Sequence, residues 1–140
     1  MIKVTKQKVL AVKKKLEPLL SLKQKYVTTY KDIKKYFKIL NLGIFDNKLN
    51  PFNQIEIKEL KYQKCVGQVV MYVYKGKGTQ LFKLEMNKYY DSKKDFLDTL
   101  AHEMVHLYQF TTVKDNGSHN KLFYSFNPKL KYVGLSLQKT

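Results

Sequence analysis

Residues 100–106 read Leu-Ala-His-Glu-Met-Val-His and place two histidines four positions apart, with a glutamate directly after the first. Residues i and i+4 share one face of an α-helix, so His102 and His106 can point ring nitrogens at one site, each about 2.0–2.1 Å from a zinc ion. Glu103 is turned about 100° away, where it can hydrogen-bond a metal-held water. The spacing predicts a zinc site in which Glu103 is the general base.

The third ligand must come from further along the chain. The sequence has three histidines, all within residues 102–119, and three neutral imidazoles are a common ligand set of catalytic zinc. A histidine six residues after His106 is excluded because Thr112 stands there, and no glutamate follows Glu103. These exclusions leave His119, with Asp115 as the alternative, although Asp115 equally suits the start of an Asp-Asn-Gly turn.

The surrounding sequence predicts the helix that this motif requires. Ser92-Lys-Lys-Asp95 has the pattern of a capping box, and apolar residues recur at helical spacing from Phe96 to Leu107. The motif then lies in the third and fourth turns of a buried helix, whose packing fixes the rotamers of the ligands. Without this context an isolated match would be read as a solvated helix face.

Two further helices are predicted before the motif. A basic amphipathic helix is expected from Thr5 to Lys25, kinked or interrupted at Pro18, and a second from Thr28 to Leu40, with Gly43 just past its end. We expect a loop from Asn41 to Asn53.

Three short strands should follow, at Ile55–Ile57, Val69–Tyr74 and Phe82–Met86. Apolar residues alternate with charged ones in the first and third of these segments, and the second is a run of mainly β-branched and aromatic residues. Lys75-Gly-Lys-Gly78 is expected to be an ordinary turn, because it lacks the spacing and the following helix of a phosphate-binding loop. The sequence therefore predicts an α+β fold with N-terminal helices, a small three-stranded sheet and a zinc-binding helix. An exposed edge of such a sheet can pair with an extended peptide.

Three segments carry a family pattern: Phe45-Asp-Asn-Lys-Leu49, similar to Phe-Asn-x-x-Leu; Leu100–His106; and Asp115-Asn-Gly-Ser-His119 with Phe123. Together they resemble the SprT-like metallopeptidases, which include the Spartan proteases that digest proteins crosslinked to DNA. The resemblance covers about Tyr36 to Phe123. It implies a single zincin-like domain over residues 28–140, with residues 1–27 as a basic helical segment packed on it. It also implies that His102, His106 and His119 bind one zinc ion and that Glu103 is the catalytic acid/base.

Two departures from the family pattern stand out. Asn120 follows the third histidine where the family usually has glycine, and asparagine tolerates unusual backbone angles better than most residues. The family often adds a C-terminal zinc ribbon, which is not expected here because the chain has one cysteine, Cys65. We expect Cys65 to pack as a small hydrophobic residue.

The composition limits the class of protein. A chain of 140 residues, 44% hydrophobic, suits one domain, and we expect a monomer. The sequence has no apolar run of membrane-spanning length and no signal-peptide pattern, so we expect an intracellular, cytoplasmic protein without a membrane partner. A single thiol cannot form an intrachain disulfide, which agrees with a reducing compartment.

The charge suggests a second partner. The formal net charge is +16, which favours non-specific binding of DNA through lysines. All 27 basic residues are lysine, so the bidentate guanine contacts of arginine are excluded. An AT-rich genome, including a viral or phage genome, would impose the same bias without selection for DNA.

These observations predict a zinc metallopeptidase that hydrolyses protein or peptide substrates with a zinc-activated water. The resemblance to the SprT-like family implies DNA-bound or DNA-crosslinked proteins as one class of substrate. The oxyanion donor is left open among tyrosine, lysine, asparagine and backbone amides. Two alternatives remain: a catalytically silent zinc domain that binds nucleic acid, and a processing peptidase for a specific partner without DNA. The presence of Glu103 argues against the silent domain, because a structural zinc site needs no base.

Overall fold

The computed structural model describes residues 4–60, 66–73, 76 and 78–137. Within these residues the helices are α1 (Lys6–Leu20), α2 (Tyr30–Ile44), α3 (Lys93–Tyr108), α4 (Lys121–Tyr124) and α5 (Asn127–Tyr132), and the strands are β1 (Tyr26–Val27), β2 (Gln54–Ile57), β3 (Gly67–Val73), β4 (Gln80–Met86) and β5 (Tyr89–Tyr90). A π-helical turn, Gln109–Val113, continues α3. The predicted α+β class is confirmed. The expectation for Cys65 lies outside the described residues, as do Tyr74 and both lysines of the turn at residues 75–78.

The three predicted strands form one sheet with the order β2-β4-β3. The central strand β4 is antiparallel to β3 and parallel to β2. A second sheet of two strands pairs β1 with β5, with Tyr26 opposite Tyr90. Sequence analysis missed this second sheet because strands of two residues are too short to show alternation.

The predicted helix α3 is the central element of the core. It begins at Ser92, whose hydroxyl accepts a hydrogen bond from the backbone N–H of Asp95 at 3.1 Å, as the capping pattern indicated. The helix contacts α1, α2, β3 and β4. The apolar residues predicted to face inward are buried: Phe96, Leu97, Leu100, Ala101, Met104, Val105 and Leu107. The histidine motif is therefore carried by a helix that is packed on several sides.

Helix α1 is shorter than predicted. It starts after Thr5, which is its N-cap, continues through Pro18 and ends at Leu20 instead of Lys25. Pro18 has no N–H to donate within the last turn of the helix. The chain then enters β1, and hydrogen bonds with β5 take the place of further helical hydrogen bonds. Its buried face, Val9, Val12 and Leu16, joins the core. Within the described residues no helix combines the length and apolar character needed to cross a membrane.

Helix α2 is longer than predicted and contains Gly43, which was expected to lie past its end. A Cβ on Gly43 would overlap the Cγ2 atom of Val12 in α1. The glycine therefore allows α1 and α2 to approach closely and does not stop the helix. The helix continues to Ile44, so the loop predicted from Asn41 starts at Phe45.

The loop after α2 contains the family-like segment Phe45–Leu49. Asp46 and Asn47 have left-handed backbones, with φ of 52° and 57°, which their residue types tolerate. The buried amide of Asn41 donates to the carbonyl of Leu49 at 2.8 Å and accepts from its N–H at 3.2 Å. Phe45 is fully buried, with its ring 5.0 Å from that of Phe126. The segment thus ties the end of α2 to the C-terminal helices.

Substitution of Gly43 by alanine should destabilise the protein. Alanine is normally better than glycine in a helix by about 1 kcal/mol, but overlap with Val12 should reverse the sign and cost roughly 1–3 kcal/mol. Urea unfolding of Gly43→Ala measures this loss. The double variant Val12→Ala/Gly43→Ala should lose less than the sum of the two single variants. A stabilised Gly43→Ala would contradict the close approach.

A buried carboxylate lies on the face of the sheet opposite Leu84. Glu85 is 3% exposed, and its Oε2 atom lies 3.1 Å from the ammonium groups of both Lys58 and Lys83, while Gln68 donates to Oε1 at 2.5 Å. Burial alone would raise the pKa of Glu85, but the hydrogen bonds from Gln68, Lys58 and Lys83 outweigh it and hold that pKa below its ordinary value of 4.5. Glu85 therefore stabilises the fold in its ionised form.

The stabilisation by Glu85 should be present above pH 4.5 and be lost as the pH falls through its lowered folded-state pKa. Glu85→Gln should lower the free energy of unfolding by about 1–3 kcal/mol at pH 7, with a smaller difference in acid. Urea unfolding at the two pH values tests this. The matched control is Glu56→Gln, since Glu56 has a side chain that is 40% exposed. A loss that does not depend on pH would argue against the charged network.

Candidate metal centre

The three histidines of the chain converge at one point. His102 and His106 lie on the third and fourth turns of α3, and His119 lies in the loop before α4. The Nε2 atom of His102 is 3.1 Å from Nε2 of His106 and 3.3 Å from Nε2 of His119. One ligand atom from each of the three residues lies within 4.8 Å of the others. The structure therefore brings together all three residues that the sequence singled out as metal ligands.

Two of the three nitrogen–nitrogen distances are those that one tetrahedral metal ion such as zinc allows. Two nitrogens at about 2.0–2.1 Å from such an ion stand about 3.3–3.4 Å apart, close to the 3.1 and 3.3 Å observed. The Nε2 atom of His102 also faces two ring nitrogens at once, and an imidazole nitrogen carries at most one proton. A cation that accepts a lone pair from each ring satisfies all three.

Phe123 packs against the three imidazoles. It is fully buried, and its ring centroid lies 4.9, 5.0 and 4.6 Å from those of His102, His106 and His119. Contact with one rigid ring restricts the rotation of each imidazole.

The ring of His106 is further fixed by Gln109, which sequence analysis missed. The Oε1 atom of Gln109 lies 2.8 Å from Nδ1 of His106. The Nε2 atom of Gln109 donates to the carbonyl of Ser118 at 2.8 Å and to Oδ1 of Asn120 at 3.2 Å. Since the carbonyl can only accept, Oε1 must face His106, and Nδ1 of His106 must carry the proton. Its Nε2 lone pair is then directed at the cluster.

Two residues of the ligand loop have structural roles. Asp115 accepts from the N–H of Gly117 at 2.7 Å and from the amide of Asn120 at 3.3 Å, so its carboxylate builds the predicted turn. Asn120 has an extended backbone (φ −96°) and caps α4 by accepting from the N–H of Phe123 at 3.0 Å. Asn120 therefore does not use the tolerance of asparagine for unusual backbone angles. The left-handed angles occur at Lys114 and at Gly117, which lies against the ring of Phe110.

Glu103 lies beside the histidines with its side chain almost fully enclosed. It is 4% exposed, and its carboxylate accepts a hydrogen bond from the backbone N–H of Val69 in β3. Burial raises the pKa of Glu103 to about 8. A cation held by the three imidazoles would favour the ionised form of this carboxylate. The arrangement can therefore hold or release a proton next to a metal-bound water.

Two open spaces meet at Glu103. A groove of about 290 Å³ passes over the histidines and is lined by residues 67–69 of β3, Phe110 and Gly117. A cavity of about 280 Å³ shares His102 and Glu103 with this groove and is lined also by Asp91, Asp95 and Asp98. In the described sheet β3 is an edge strand, so one side of its backbone faces the groove. The groove therefore lies between the edge of the described sheet and the histidines.

A sequence profile of the SprT-like family matches residues 33–139. The chain belongs to the SprT-like family. This finding confirms the resemblance seen in the three sequence segments, and the matched range includes every residue of the histidine cluster. Comparisons with curated proteins and with solved structures found no match. Membership of the SprT-like family supports a domain of the metallopeptidase type, and the histidine cluster supports metal binding.

Substitution of His119 and of Asp115 in turn tests which of the two residues is the third metal ligand of this SprT-like domain. His119→Ala should lower zinc affinity by more than about 100-fold, beyond the usual loss for a residue that only supports a ligand. Asp115→Asn should weaken zinc binding by less than about 10-fold, because its side chain can still accept from Gly117 and loses only the hydrogen bond from Asn120. Competition with a chromophoric chelator measures both affinities. Equal losses in the two variants would place Asp115 among the ligands.

Proposed function

We propose that the protein is a zinc-dependent metallopeptidase that hydrolyses peptide bonds. The observation that supports this most is the carboxylate of Glu103 beside three converging imidazoles, with an open groove above them. His102, His106 and His119 would hold one zinc ion. Bound zinc supplies a water whose pKa is lowered to about 7 and a Lewis acid for the scissile carbonyl.

Glu103 is the general base and then the general acid in this proposal. Its carboxylate takes a proton from the attacking water and delivers it to the nitrogen of the leaving amine. The hydrogen bond from Val69 holds one side of the carboxylate towards β3, where the groove lies. The proton therefore moves at a carboxylate that is itself only 4% exposed, although the groove beside it is open.

The edge of β3 is suited to bind the substrate backbone. The N–H of Val69 points away from β4 towards Glu103, and in an antiparallel pair the backbone groups of alternate residues face the same side. Gly67 lets this strand lie close to α3, since a Cβ there would come within 2.6 Å of Cγ2 of Thr99. Pairing through backbone groups tolerates many substrate sequences.

We further propose that lysines bring the enzyme to DNA-bound or DNA-crosslinked proteins. The support is the formal net charge of +16, carried by lysines that suit sequence-independent contact with phosphates. Family membership agrees with this role, because the SprT-like family includes the Spartan proteases. A processing peptidase without DNA and a silent zinc domain make different predictions in the experiment that follows.

Glu103→Gln should retain zinc and lose peptide hydrolysis by about 10²- to 10⁴-fold, the usual contribution of a general base. Zinc content and cleavage of a basic DNA-binding protein are measured for both enzymes, with and without DNA. The proposal expects DNA to accelerate cleavage by the wild type only. Activity that survives in Glu103→Gln would exclude this base.

The same measurements distinguish the alternatives. Equal wild-type activity with and without DNA would favour a processing peptidase that does not use DNA. A wild type that binds zinc and DNA but cleaves nothing would favour the silent domain. Raising the salt concentration should remove the stimulation by DNA, because contacts with phosphates release counterions.

A further inference from the structure

We infer that Gln109 is a positioning residue that presets the metal site by fixing the ring of His106 and the loop that carries His119 at the same time. The side chain of Gln109 is fully buried and lies between these two ligands. It contacts Nδ1 of His106 on one side and Ser118 and Asn120, which flank His119, on the other. One amide thus connects the helix ligands with the loop ligand.

The chemistry of an amide suits this position. Glutamine offers an acceptor oxygen and two N–H donors. The oxygen accepts from His106, and the two donors are used by the carbonyl of Ser118 and Oδ1 of Asn120. Glutamate would keep the acceptor and lose both donors, and methionine, of similar length, would lose all three. Glutamate therefore removes only the contacts with the loop, whereas methionine also removes the contact with His106.

The backbone of Gln109 supports the same loop. Its carbonyl accepts from the N–H of Asp115 at 2.9 Å, at the end of the π-helical turn. Gln109 is three positions after His106, so the two side chains share a face of the helix. Both the main chain and the side chain of Gln109 therefore hold residues of the ligand loop. This places His119 near its partners before any metal binds, which lowers the ordering cost of metal binding.

This inference rests on the proposed zinc site but not on peptidase activity, so it is tested by zinc affinity. The variants are Gln109→Met and Gln109→Glu. The control is Thr111→Val, which removes a hydroxyl hydrogen bond to the carbonyl of Leu107 from the same turn without contacting a ligand. Affinities come from chelator competition, and the d–d absorption of the cobalt-loaded proteins reports the geometry around the metal.

Gln109→Met should weaken zinc binding by about 10- to 100-fold, as removal of hydrogen-bond partners of metal ligands typically does, and should change the cobalt spectrum. Gln109→Glu should retain more affinity than Gln109→Met, because a carboxylate still accepts from Nδ1 of His106. Thr111→Val should match the wild type in both measurements.

A merely structural role would lower the thermal stability of the zinc-free variants and leave the affinity and the cobalt spectrum of the folded protein unchanged. That result, or a Gln109→Glu variant as weak as Gln109→Met, would overturn the inference. A wild type that does not bind zinc would overturn the metal site itself. If the wild type binds zinc and only Gln109→Met binds it weakly, the metal site itself is intact.

Discussion

The burial of α3 is the constraint on which the rest of the structure depends. Two metal ligands four residues apart are useful only if the helix that carries them cannot rotate or slide. Helices α1 and α2 and the strands β3 and β4 all contact α3, and the fully buried Phe96, Leu100 and Met104 lie on its inner side. The close approach of α1 and α2 at Gly43 and the close approach of β3 and α3 at Gly67 both tighten this packing. A one-residue shift of α3 would remove both histidines from their positions.

The loop with the third histidine has no comparable apolar packing, and hydrogen bonds replace it. Hydrogen bonds connect the side chains of Asp115, Asn120 and Gln109 with one another or with the loop backbone. Before the loop, the ring of Phe110 stacks on that of Phe82 in β4, with the ring centroids 5.8 Å apart. A buried polar side chain is costly unless it is paired. Among the described residues, no buried side-chain nitrogen or oxygen lacks a partner. The network therefore specifies one loop conformation in a region where hydrophobic contact alone would allow several.

The features that follow from local sequence were predictable, and those that depend on contact between distant residues were not. Ser92 and the apolar spacing of α3 identified the metal-binding helix, and alternation identified three strands. Gly43 was misread because glycine usually stops a helix, and only the position of Val12 shows that it serves close packing. The pairing of β1 with β5 has no periodic signal. Gln109 could have been suspected, since a polar residue three positions after His106 shares its face, but its partners at Ser118 and Asn120 become neighbours only after the loop has folded back.

Charge is distributed unevenly, and this affects the metal centre. Of the eleven acidic residues, Asp91, Asp95, Asp98 and Glu103 line the cavity beside the histidines, and no lysine is among the described residues that line it. Lys94 pairs with Asp98 at 2.8 Å, and burial raises the pKa of Glu103 to about 8, which leaves Asp91 and Asp95 to set the local potential before a cation binds. Charges further away than about 8 Å are largely screened at physiological ionic strength, so lysines beyond that distance repel a divalent cation only weakly. A strongly basic protein can in this way still present an environment around its histidines that favours a cation.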